Sequence, residues 1–147
     1  MSVLAIIPAR MGSSRFPGKP LAKINGRPMI EHVYKNVIES NMISKTIVAT
    51  CDTEIFNFIK SINGNVIMTS KKHQRASDRC FEAMQKYEKK VKKKFDIILM
   101  VQGDEPMINK SMIKNALKPI IKNKKINVIN LMTKIKTKKD FYDPNCV

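Results

Sequence analysis

Two almost uninterrupted apolar runs, Val3–Ala9 (VLAIIPA) and Asp96–Val101 (DIILMV), constrain the fold most. They are short for helices and too apolar to leave one face in water. Strands buried on both faces read this way, as in a parallel sheet covered by helices. Between and after them the period changes. Pro28 can open a helix at its first turn, and Ile30, Val33, Tyr34, Val37 and Ile38 then keep the spacing of one helical face. Thr46–Thr50 is a short β-branched strand. Asp52 stands where an N-cap would start a helix carrying Ile55, Ile59 and Ile62 on one face. Asn63-Gly64 ends that helix, and Val66–Thr69 gives a third strand. A helix from about Ser77 or Asp78 would place Phe81, Met84 and Val91 in the core and end in the solvated run Glu88–Lys94. Met112–Ile121 reads as a helix and Asn127–Met132 as a last strand. Strands alternating with helices point to an α/β fold with a mainly parallel sheet.

At 147 residues the chain suits a single domain, 1–147. With 43% hydrophobic residues it has material for a real core. No apolar run approaches the roughly 20 residues of a membrane span, and the short apolar N-terminus lacks the basic start of a secretory signal. A cytoplasmic protein without membrane partners is the expectation. The three cysteines, Cys51, Cys80 and Cys146, have no CxxC spacing, which argues against a disulfide framework or a zinc site.

The net charge of +16 comes from 28 basic residues, of which only Arg10, Arg15, Arg27, Arg75 and Arg79 are arginine. Residues 1–85 carry 12 basic and 6 acidic side chains, and residues 86–147 carry 16 and 6. The lysines are spread over helix-like segments rich in Ile and Asn, as a compositional bias would place them. A polyanion-binding face is the alternative, with sparse aromatics, 6%, and no known nucleic-acid motif against it. The arginines sit in or beside expected loops, where a planar fork can grip phosphate or carboxylate bidentately.

In an α/β sheet ligands bind beyond the carboxyl ends of the strands. The loops expected there are Arg10–Lys19, Ser70–Ala76 and Gln102–Pro106. In the first, Gly12, Ser13, Ser14 and Gly18 let backbone N–H groups face an anion, while Arg10, Arg15 and Lys19 add charge. It is not a Walker loop, because one residue too many separates Gly12 from Gly18-Lys19 and Pro20 replaces the hydroxyl residue. In the third, Asp104 follows a buried strand directly and suits a Mg²⁺ ligand, with phosphate oxygens and water completing the shell. The middle loop, HQRASDR, offers His73, Arg75, Ser77, Asp78 and Arg79, although Ser77 or Asp78 could simply cap the next helix. There is no paired base and nucleophile of the hydrolase type. Together these features indicate nucleoside triphosphate and Mg²⁺ chemistry, driven by charge neutralisation and alignment.

The runs IIPARMGSSRFPGKPLAKINGRPMIEHVY, VATCDTEI, MTSKKHQRASDR and DIILMVQGDEPMI closely resemble the 3-deoxy-manno-octulosonate cytidylyltransferase (CMP-Kdo synthetase) family, collinearly from about Val3 to Val147. The resemblance implies a Rossmann-like sheet of the nucleotide-diphospho-sugar transferase type with helices on both faces. It implies transfer of CMP from CTP to a 3-deoxy-octulosonic sugar acid, with Mg²⁺ as cofactor, in lipopolysaccharide-type synthesis. Carried over by position, Arg10 and Lys19 hold the CTP phosphates with Ser13 and Ser14, and Pro8 and Ala9 present backbone groups to cytosine. Ser77 and Arg79 belong to the nucleotide pocket, Arg79 and Gln102 contact the sugar acid, and Asp104 binds Mg²⁺. Arg10, Lys19 and Asp104 are then the catalytic group.

The family pattern after His73 runs closer to HxSGTDR, whereas here Arg75 adds a cation and Ala76 replaces a glycine. That pocket is therefore expected to accept a modified sugar, such as an amino-octulosonate, and a cytidylyltransferase for a different acidic sugar, such as an acylneuraminate-like acid, is a close rival. Family members are also longer. The chain is accordingly expected to be an N-terminal fragment of a homodimeric enzyme, with a second metal ligand and much of the sugar pocket beyond Val147. Alone it is expected to bind CTP weakly and turn over little. An inactive or basic nucleic-acid-binding fragment is the rival expectation.

Overall fold

The computed structural model describes residues 1–12, 16–132 and 134–143. In chain order these form β1 (Val3–Ala9), a 3-10 turn (Lys19–Leu21), β2 (Lys23–Ile24), β3 (Arg27–Pro28), α1 (Met29–Ile38), β4 (Lys45–Thr50) and α2 (Thr53–Ser61). Then come β5 (Val66–Met68), α3 (Ala76–Val91), β6 (Ile97–Met100), α4 (Lys110–Lys122) and α5 (Lys138–Tyr142). The main sheet has the order β5-β4-β1-β6. Every pairing in it is parallel, with Ala5 opposite Thr46 on β4 and Leu99 on β6. β2 and β3 form a small antiparallel hairpin. Its turn is Asn25-Gly26, both at positive φ (49° and 80°), the residue pair such a tight turn favours.

β1 is the central strand and is buried along its whole length. Its alternate residues feed two cores. Val3, Ala5, Ile7 and Ala9 meet α1, α2 and α4 through Ile30, Val33, Val37, Ile55, Ile59, Ile113 and Leu117. Leu4 and Ile6 meet α3 through Cys80, Ala83 and Tyr87 on the other face. Among the described residues helices thus cover both faces, α1, α2 and α4 on one and α3 on the other.

Several expectations are corrected. Asn127–Met132 has strand-like sequence but pairs with nothing among the described residues, and Val128 and Met132 are 78% and 92% exposed. A strand needs a partner edge and a covered face, and among the described residues this segment has neither. In α3 the apolar stripe is Cys80, Ala83 and Tyr87, whereas Phe81 and Val91 are exposed. Small residues at 80 and 83 let the helix approach the sheet, and Phe81, about 100° further round, faces outward. Ile38, the last residue of α1, is half exposed at the edge of the helix's apolar stripe. β6 is an edge strand: Ile97 is buried, but Ile98 and Met100, on the α3 face, lie beyond the reach of α3 and are exposed. Glu88, read as part of a solvated end, is buried, and its carboxylate accepts from Phe95 N–H (2.9 Å) and Lys94 (3.1 Å). These bonds outweigh the cost of burial and hold its carboxyl below the usual range.

Candidate functional site

The chain leaves β1 for β4 and β5 on one side and returns to β6 on the other. Strand order therefore reverses at β1, and the crevice beyond the carboxyl ends of such strands is where α/β sheets bind ligands. A cleft of about 320 Å³ lies there. Its walls are Pro8, Ala9 and Arg10 at the end of β1, Gly12 and Lys19 from the first loop, His73–Ala76 and Arg79 from the second, and Gln102–Asp104 from the third.

The first loop is closed by its own backbone. Gly18 N–H donates to Met11 O (3.0 Å), with Gly18 at φ 74°, where a side chain would be strained. Asp52 pins the loop from β4's end: its Oδ2 accepts from Met11 N–H at 2.8 Å. Asp52 occupies the N-cap position of α2, yet its side chain makes no cap hydrogen bond, because that oxygen is committed to Met11. This corrects the capping expectation and gives the residue a role in shaping the site.

The third loop turns sharply against β1. A Cβ at Gly103 would stand 2.6 Å from Pro8 O, so only glycine fits without a shift. Asn36 of α1 holds the turn from behind, its Nδ2 donating to Pro106 O (2.9 Å). Asp104, half exposed, accepts from Lys19 Nζ at 2.7 Å, an ion pair that spans the cleft. The adjacent Glu105 is exposed and does not line the cleft. No group of three or more His, Cys, Asp or Glu that could hold a metal occurs among the described residues. The cleft therefore offers one accessible carboxylate, a donor set that fits Mg²⁺ when phosphate oxygens and water supply the rest.

The second loop is tied to α3. Arg79 is 3% exposed. Its Nη1 donates to Thr69 Oγ1 (2.6 Å) and Ser70 O (3.4 Å), and its Nη2 to His73 O (3.5 Å). The guanidinium lies in the cleft wall and holds the loop at the same time. Beside it the Cys80 thiol is pushed up to about 12 by burial, against the opposing pull of Arg79, and stays protonated.

Of the residues singled out from sequence, Pro8, Ala9, Arg10, Lys19, Arg79, Gln102 and Asp104 share this cleft. Ser77 does not: it is exposed on the first turn of α3, one residue past the wall. Ser13 and Ser14 lie outside the described residues. Sequence reasoning missed Asp52, Gly103 and Glu82 as shapers of the site. Of these, Gly103 carried a signal, a glycine between a buried strand and an acidic residue.

The pattern describing the cytidylyltransferase family matches residues 4–147. The chain belongs to that family. It is 44% identical over 147 residues to the 3-deoxy-manno-octulosonate cytidylyltransferase of Trichlorobacter lovleyi, covering all of this chain and 56% of that protein. It is 42% identical over 149 residues to the enzyme of the same name from Thermodesulfovibrio yellowstonii, covering all of this chain and 58% of that protein. Among solved structures, a CMP:2-keto-3-deoxy-manno-octonic acid synthetase complexed with CTP superposes with a TM-score of 0.77 at 36% identity, over 84% of this chain and 49% of that one. A 4-diphosphocytidyl-2C-methyl-D-erythritol synthase at 15% identity and a TM-score of 0.64 shares the fold. The chain thus spans about half the length of the relatives it matches.

Proposed function

We propose that the cleft binds CTP and that the protein transfers CMP to the anomeric hydroxyl of a 3-deoxy-octulosonic sugar acid, releasing pyrophosphate. The observation that carries this reading is the meeting of Arg10, Lys19 and Asp104, from loops after two different strands, at one cleft. The full-length relative bearing that activity in its name supports the substrate class, and the neighbour solved with CTP supports the nucleotide. A cytoplasmic setting, lipopolysaccharide-type synthesis and a homodimeric longer form belong to the same proposal.

In this reading Pro8 and Ala9 offer backbone groups to cytosine, while Arg10 and Lys19, with Ser13 and Ser14, hold the phosphates. Arg79 and Gln102, both in the cleft lining, are assigned to the sugar acid. Asp104 would hold Mg²⁺, which when bound supplies positive charge to the phosphate oxygens. The sugar hydroxyl oxygen forms a bond to the α-phosphorus, its proton is lost to solvent, and the bond from the α-phosphorus to the bridging oxygen breaks toward pyrophosphate. Arg10 and Lys19 stabilise the charge growing on that leaving group, which is where fixed cations lower a barrier most.

Equilibrium binding of CTP, UTP and ATP in the presence of Mg²⁺ tests the proposal. CTP is expected to bind at least about tenfold more tightly than the other two, since a site that hydrogen-bonds one base leaves buried groups unpaired with another. Equal affinities, or none, would overturn it. Competition between keto-sugar acids in a longer form separates the octulosonate from an amino-octulosonate or acylneuraminate-like acid.

A further inference from the structure

Outside the cleft wall, one carboxylate organises the loop that forms it. Glu82 Oε2 accepts from Ser70 N–H at 2.9 Å and from the His73 ring. Because an ionised carboxylate only accepts, His73 Nε2 carries the proton in that contact. Glu82 Oε1 takes Lys86 Nζ at 2.6 Å, and Lys86 Nζ also donates to Met68 O (2.9 Å) at the end of β5. Arg79, three residues earlier on the same helical face, takes the carbonyl oxygens of Ser70 and His73. The helix thus grips the loop twice, by a carboxylate for its N–H groups and by a guanidinium for its C=O groups. Only Gln74 and Arg75 remain between these pins and the start of α3, and both are exposed at the cleft wall.

We propose that Glu82 is a positioning residue of the site: by holding Ser70 and His73 it fixes Gln74 and Arg75 at the wall of the cleft. Glu82 does not itself line the cleft, so its influence on a ligand passes through the loop. Burial works to raise its pKa, but the hydrogen bonds from Lys86, Ser70 and His73 outweigh this and hold it at about 2, so the pin stays charged near neutrality. Arg75 is the pinned residue with the most to give a ligand, because its guanidinium can bind phosphate or carboxylate in two-point fashion. The ligand part of this inference rests on the reading of the cleft as a CTP site, and the loop part does not.

The test uses Glu82→Ala and Glu82→Gln in the whole chain, read first without ligand. In Glu82→Ala the Ser70 amide should exchange at least about tenfold faster, and trypsin should cut after Lys71, Lys72 or Arg75 at least about tenfold faster, while amides of Ile6 and Ile47 keep their protection, as for a local opening. Glu82→Gln, which keeps an acceptor oxygen, should restore part of the Ser70 protection. With CTP and Mg²⁺, Glu82→Ala should weaken binding by roughly 5–10-fold, and Arg75→Ala should add almost nothing in that background, although alone it weakens binding several-fold. Unchanged exchange and cleavage, or losses from Glu82→Ala and Arg75→Ala that simply multiply, would overturn the proposal. If the unaltered chain binds no CTP, the proposed function falls, and the exchange and cleavage measurements still decide the role of Glu82.

Discussion

Lys19 Nζ stands 2.7 Å from Asp104 Oδ2 and so joins the loop after β1 to the loop after β6 across the cleft. The two side chains are 33% and 50% exposed, so the pair is screened and contributes only about 0–1 kcal/mol to stability. Its interest is functional. Lys19 sits on one of the two oxygens of the carboxylate that the proposed function assigns to a divalent cation. In the proposed function the cation and Lys19 compete for Asp104, and the CTP phosphates offer the lysine another anion.

Lys19→Met is expected to act in opposite directions on two ligands. Freed of its internal cation, Asp104 should bind Mn²⁺ alone more tightly, by about 2–5-fold for an exposed pair of this kind. CTP should bind more weakly than to the unaltered chain, and the loss for CMP should be smaller because the lysine is assigned to the outer phosphates. Electron paramagnetic resonance of free Mn²⁺ and calorimetry with the two nucleotides check this. Equal losses for CTP and CMP would contradict the assignment.

Gly103→Ala places a methyl carbon 2.6 Å from Pro8 O, a backbone atom that cannot swing away. The expected cost is about 1–3 kcal/mol, the usual range for overpacking. Thermal unfolding should show a lower midpoint, and CTP affinity should fall with it because Pro8 and Asp104 flank the clash.

The two faces of α3 and the centre of the sheet give a packing test. Ile6, fully buried in β1, should lose about 2–5 kcal/mol on substitution by alanine. Phe81, 57% exposed, should lose no more than about 0.5 kcal/mol. Denaturant titration of both variants checks the placement of Phe81. A large loss at Phe81 would return it to the core, where periodicity first placed it.

Glu82 gives the pH prediction. Its folded-state pKa, about 2, lies below the unfolded value near 4.5, so its contribution is full above pH 4.5 and is lost as pH falls toward 2. With its side chain 23% exposed, screening trims that contribution to roughly 1–2 kcal/mol. Glu82→Gln should therefore be less stable than the unaltered chain at pH 7, and the difference should shrink between pH 4.5 and pH 2. A difference that stays constant with pH would remove the charge from the explanation.

The sheet was largely legible because β1 is buried on both faces and spells this out in an unbroken run, Val3–Ala9. The cleft was legible because Arg10 sits directly after one apolar strand, Asp104 shortly after another, and Lys19 in the glycine-rich loop that follows the first. What escaped was set by tertiary context. Asp52 looks like a cap and acts as a cap does, accepting a backbone N–H, but the N–H is that of Met11, 41 residues earlier. Glu82 is one of several charged residues on a helix, and only the return of the loop over it shows its task. Asn127–Met132 has the residues of a strand without, among the described residues, the neighbour that makes one.

The central claim is that the three loops beyond β1, β5 and β6 form one nucleotide site. Amide hydrogen exchange with and without CTP and Mg²⁺ measures it most directly. Protection is expected together at Ala9–Gly12, at His73–Ala76 and at Gln102–Asp104, and should be lost in Asp104→Asn along with at least about 10²-fold of the affinity, the scale for removing one electrostatic stabiliser. Protection confined to one of these loops, or appearing instead along the lysine-rich end of α3, would contradict the account.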